Sequence, residues 1–118
     1  MAVLELTERN FDQTVTEQEM VLVDFWAHWC GPCRAFSETY TEVSNKYTDV
    51  VFAKVDIERE PQLAKDFKVR AIPMLVIFRA GMVVYADAGA LSQVALEEVI
   101  QKAKALELKE IRENSKEK

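Results

Sequence analysis

Hydrophobic positions along the chain alternate between two spacings. Val3-Leu4-Glu5-Leu6 alternates residue by residue and predicts a short strand. Asn10 and Gln13 resemble a capping box, and Phe11 and Val15 lie four apart, so residues 10–17 read as a short helix. Residues 20–27 are apolar on both faces except at Asp24, which suits a central strand covered on both sides. Phe36, Tyr40, Val43 and Tyr47 form one stripe at helical spacing over residues 31–47. Pro32 fits the first turn of that helix, where its missing N–H has no acceptor. Residues 50–57 predict a second long strand, parallel to the first across a βαβ crossover. Pro61 opens a short helix through Phe67. A strand at 74–78 turns at Ala80-Gly81 into an antiparallel partner at 82–85. Gly89 ends the sheet region. Ser92 caps the last helix, whose stripe is Leu96, Val99, Ile100, Ala103 and Leu106.

The order of these elements predicts an α/β fold in a single domain over residues 1–106. The 118 residues are 49% hydrophobic, enough for one real core. Residues 107–118 are almost all charged and read as an extension of the last helix or a frayed, solvated tail, with a docking segment as the alternative. The formal charge of −5 repels phosphate backbones, which argues against nucleic acid as a partner. No basic amphipathic helix points to a membrane surface, and Met74-Leu75-Val76-Ile77-Phe78 is far too short to span one. Residues 1–10 lack the basic and apolar regions of a signal peptide. The expectation is a soluble, cytoplasmic protein.

Charge and composition name no chemistry, but the cysteines do. Both lie in Trp29-Cys30-Gly31-Pro32-Cys33, between a buried strand and a helix. A disulfide closing so small a loop stabilises a fold by roughly 2 kcal/mol, against about 3 for a 15-residue loop, so a structural staple is a poor reading. His28, Cys30 and Cys33 would give three metal ligands with no evident fourth, so no metal site is expected. A redox dithiol remains. Cys30, at the helix N-terminus, is the candidate nucleophile. Cys33, one turn later on the same side, is the resolving thiol. The helix end contributes ~0.3–2 kcal/mol toward a thiolate, about one pKa unit at most, so backbone hydrogen bonds must add to it.

Asp24 interrupts an apolar strand six residues before Cys30. Burial raises the pKa of such a carboxyl and makes it a candidate proton acceptor for Cys33. The alternative is a strand-end carboxylate bonded to backbone. Lys54 has the right sign to neighbour Asp24, or is a surface lysine lying along the fold. His28 reads as a partly exposed residue able to tune Cys30 if charged. Trp26 and Trp29 read as packing and surface residues flanking the dithiol. The residues alone leave the Ile72-Pro73 bond open, with trans the default.

Five segments together resemble the thioredoxin family: Val23-Asp24-Phe25-Trp26-Ala27, Trp29-Cys30-Gly31-Pro32-Cys33, Ala53-Lys54-Val55-Asp56, Val69-Arg70-Ala71-Ile72-Pro73 and Gly89-Ala90-Leu91. The likeness spans about residues 3–106. It implies a central mixed sheet flanked by helices on both faces. It also implies a cis Ile72-Pro73 bond facing the dithiol, and Asp24 as buried acid with Lys54 as its partner. Trp29, Gly31, Pro32, Ile72, Pro73, Gly89 and Ala90 would form the substrate-facing surface. The implied activity is general protein-disulfide reduction, with Gly31-Pro32 setting a reducing rather than oxidising dithiol. Electrons would come from NADPH through a thioredoxin reductase, with no bound cofactor and the chain acting as a monomer. A specialised relative with narrow targets and a thioredoxin-fold binding scaffold are the alternatives. The chain departs from the family at Glu38, where a kinking proline is usual, and at Ala71, Met74 and His28. Glu38 is expected to straighten the helix and bring negative charge toward Cys33.

Overall fold

The computed structural model describes residues 3–116. Five strands form one sheet in the order β1-β3-β2-β4-β5: β1 Val3–Glu5, β2 Met20–Trp26, β3 Val51–Asp56, β4 Met74–Arg79 and β5 Met82–Ala88. Strands β1, β3 and β2 run parallel, and β4 and β5 are antiparallel to their neighbours. Five helices accompany them: α1 Phe11–Glu17, α2 Gly31–Lys46, α3 Pro61–Asp66, α4 Gln93–Ala105 and α5 Leu108–Lys116.

The two faces of the sheet follow from the alternation of side chains along each strand. Val21, Val23 and Phe25 join Phe11, Val15 and Leu63 of α1 and α3 in one core layer. Met20, Leu22, Phe52, Leu75 and Ile77 join Phe36, Tyr40 and Val43 of α2 and Leu96, Ile100 and Ala103 of α4 in the other. This is the expected mixed sheet with helices on both faces. By the same alternation Asp24, Trp26, Lys54 and Asp56 belong to the α2 face. Both crossed pairs are in register, Asp24 with Lys54 and Trp26 with Asp56.

Three local details differ from the sequence reading. Asn10 is the N-cap of α1 but makes no side-chain cap. Its Oδ1 instead accepts the Thr7 backbone N–H at 2.7 Å, closing the preceding turn. Strand β5 runs to Ala88, three residues further than its apolar pattern suggested, because main-chain pairing with β4 continues past the alternating stretch. The charged segment after Leu106 is neither a continuation of α4 nor a frayed end as far as Lys116. Leu106 breaks the helix with extended backbone, α5 follows, and Ile111 is buried. Residues 117–118 lie outside the described residues. Helix α2 runs unbroken through exposed Glu38, as the missing proline suggests.

Candidate active site

Strand β2 delivers the chain to the edge of the α2 face, and a turn at residues 27–30 redirects it into α2. Cys30 is the N-cap of that helix, with extended backbone, and its Sγ accepts the Cys33 N–H at 3.1 Å. Pro32 occupies the first turn, where no N–H is needed. Cys30 and Cys33 are joined by a disulfide, their Cα atoms 5.2 Å apart. They are only 5% and 2% exposed, and Cys33 is the deeper of the two. When the disulfide is open, a hydrogen bond from the Cys33 backbone favours a thiolate at Cys30, adding to the field of the helix end.

The Ile72-Pro73 bond is cis. It holds the start of β4 against the dithiol, with the Ile72 carbonyl oxygen 3.9 Å from Cys30 Sγ. The Pro73 carbonyl in turn accepts the Gly89 N–H at 2.8 Å. Gly89 has φ +124°, a conformation that side chains rarely adopt. The two bonds bring Ile72, Pro73, Gly89 and Ala90 to the Cys30 end of α2. Trp29 is 65% exposed beside them, Gly31 and Pro32 are exposed, and Pro73 is buried.

On the α2 face, Asp24 is buried and its Oδ1 has no hydrogen-bond partner among the described residues. Burial pushes its carboxyl from 3.8 up to about 7, against the pull of Lys54. The backbone-bonded alternative therefore does not describe Asp24 Oδ1. Lys54 is half-buried and makes no ion pair within contact distance among the described residues. Its ammonium stands 5.0 Å over the Trp26 ring. Tyr40, one of the core stripe, donates its hydroxyl to the Ala53 carbonyl at 2.8 Å. Burial, reinforced by the Asp24 charge, raises its pKa well above the ordinary value and keeps it neutral.

Sequence reasoning passed over Asp56. It sits at the end of β3, almost fully buried, and its Oδ2 lies 3.4 Å from Nε2 of His28. The only signal was a carboxylate two residues beyond Lys54, which ordinary strand-end polarity explains equally well. His28 thus faces Asp56, and among the described residues no group of three or more His, Cys, Asp or Glu could hold a metal ion. No helix among the described residues is long and apolar enough to cross a membrane.

Comparison with known proteins agrees with this geometry. The family model described as Thioredoxin matches residues 2–102. A thioredoxin-family protein of Streptomyces coelicolor is 49% identical over 109 residues, covering 92% of this chain and 81% of its own. Thioredoxin 1 of Nostoc is 36% identical over 103 residues, covering 86% and 96%. Among solved structures, a mutant thioredoxin from Halobacterium salinarum superposes with a TM-score of 0.82 at 30% identity, covering 89% of this chain and 93% of that one. Plasmodium falciparum thioredoxin gives 0.79 at 33% identity, covering 84% and 97%.

Proposed function

Because the chain belongs to the thioredoxin family and is a protein-disulfide oxidoreductase, we propose that it works as a general protein-disulfide reductase in the cytoplasm. It acts as a monomer on disulfide-containing proteins. The observation that carries this reading is the Cys30 sulfur at the N-cap of α2, accepting the Cys33 N–H.

In the reduced protein the Cys30 thiolate attacks one sulfur of a substrate disulfide. A Cys30–substrate disulfide forms, and the second substrate sulfur leaves as a thiolate that takes a proton from water. Asp24 then accepts the proton of the Cys33 thiol. A carboxyl raised to about 7 exchanges that proton at neutral pH with little driving force lost either way. Lys54 moderates the rise of Asp24. The Cys33 thiolate attacks Cys30, closes the intramolecular disulfide and releases the remaining substrate thiolate. Two electrons have passed to the substrate, and the chain is left in its disulfide form. Trp29, Gly31, Pro32, Ile72, Gly89 and Ala90 form the surface on which the substrate segment lies, with the buried Pro73 beneath it. A thioredoxin reductase, itself fed by NADPH, returns the dithiol, and no cofactor binds in this chain.

The test is NADPH-dependent insulin reduction in the presence of a thioredoxin reductase. Wild type is expected to turn over, and Cys33→Ser is expected to stall after the first exchange. Absence of turnover by wild type would overturn the general-reductase reading.

A further inference from the structure

Among the described residues, the turn that carries Trp29 is fixed by main-chain bonds only at its ends. The Trp26 carbonyl accepts the Ile57 N–H at 3.0 Å, and the Ala27 carbonyl accepts the Cys30 N–H at 3.2 Å. His28 and Trp29 are the two middle residues, and both are exposed. The Trp29 side chain makes no hydrogen bond or ring contact among the described residues. His28 is tethered although its side chain is 76% exposed. Its ring stands edge-on to Trp26 with centroids 4.5 Å apart, and Nε2 reaches Asp56 Oδ2 at 3.4 Å.

Asp56 is the unusual partner in this pair, with a side chain only 4% exposed. A carboxylate so placed needs hydrogen-bond donors or an opposite charge close by. Oδ1 has the backbone N–H groups of Glu58 at 2.9 Å and Arg59 at 3.4 Å. Oδ2 has His28. One buried side chain therefore ties the turn after β3 to the turn after β2, and the latter ends at the attacking sulfur.

We propose that Asp56, acting through His28, is a positioning residue for the substrate surface: it fixes the turn that presents Trp29 beside Cys30. This rests on the reading of Trp29 as a substrate-facing residue of a protein-disulfide reductase. A protein substrate lies across Trp29 and feels the orientation of the turn. A small disulfide needs little beyond Cys30 itself. The anchor therefore acts on the preference for protein disulfides over small ones.

Chemically reduced wild type, His28→Ala, His28→Gln, Asp56→Ser and the His28→Ala/Asp56→Ser double variant are each mixed with insulin and with dithiobis-nitrobenzoate. The ratio of the two second-order rate constants is compared. Serine at 56 keeps an oxygen for the Glu58 N–H but does not reach His28. His28→Ala and Asp56→Ser are each expected to lower the insulin preference about three-fold, the size supported by a weak ion pair with one exposed partner. The double variant is expected to lose no more than either single one. His28→Gln, which retains an N–H donor, is expected to return toward wild type. If Asp56→Ser does not fold, the two His28 variants decide alone. An unchanged ratio in His28→Ala, or losses that multiply in the double variant, overturns the anchor. Failure of wild type to reduce insulin overturns the general-reductase reading and the anchor with it.

Discussion

Asp24 stands on a strand whose other members from Met20 to Phe25 are apolar and buried, and its Oδ1 is unpartnered among the described residues. Its carboxyl lies at about 7 instead of 3.8, chiefly because burial disfavours the charge. Between those two values the native chain holds a proton that the unfolded chain has released. Stability therefore falls as pH rises from about 4 to about 7 and levels off above that. At ~1.4 kcal/mol per pH unit the loss amounts to roughly 4 kcal/mol. Asp24→Asn removes the titration. Denaturant unfolding of the oxidised protein at pH 4 and pH 8 is expected to show that loss in wild type and not in the variant. Parallel behaviour of the two proteins would contradict the placement of Asp24. This residue was legible in the sequence because it broke an apolar run. Asp56 was not, because a carboxylate at a strand end breaks no pattern. Tyr40 was read only as core, since nothing in a helical stripe reveals the electrostatic reach of the Asp24 charge.

The clearest departure at the level of elements is the end of the chain. Leu108 and Ile111 are spaced as neighbours on a helix face, but eight charged residues among the twelve from Glu107 to Lys118 hid that pair inside an apparent tail. Arg79, at the end of β4, supplies the joint. Its Nη1 donates to the Ala103 carbonyl, to Lys104 O at 3.3 Å and to Leu106 O at 3.1 Å, so it satisfies the carbonyls at the α4 terminus. Nη2 lies 3.8 Å from Glu19. An arginine at a strand end reads as a surface charge from sequence, and only the packed structure gives it three carbonyls. Arg79→Ala is expected to cost about 2 kcal/mol, by removing charged donors from buried acceptors. Ile111→Ala is expected to cost about 2 kcal/mol or more. Both are read from denaturant midpoints, and the reaction of the reduced dithiol with a small disulfide serves as the reference. Wild-type stability in Ile111→Ala would show that α5 contributes no packing.

At the scale of the whole molecule, the parallel pair β2 and β3 and the hairpin of β4 with β5 were readable because long apolar strands alternate with helical stripes, whereas helices on both faces came from the family likeness and the full strand order from the structure. The crossover between β2 and β3 leaves little freedom in how they pair. The cis bond at Pro73 was readable only by family likeness, because the two isomers of an X–Pro bond differ by less than about 1 kcal/mol and tertiary contacts decide between them. The same topology explains why the chemistry gathers at one edge. The ends of β2 and β3, the start of α2 and the start of β4 meet there, so Asp24, Lys54, Cys30 and Pro73 converge from four elements. The proposed reduction depends on a division of labour within that edge, with Cys30 attacking and Cys33 resolving. Trapping tests it most directly: Cys33→Ser and Cys30→Ser are incubated with a disulfide-containing protein and analysed by mass spectrometry. A long-lived adduct joined through Cys30 is expected in Cys33→Ser and almost none in Cys30→Ser. An adduct formed predominantly through Cys33 would contradict it.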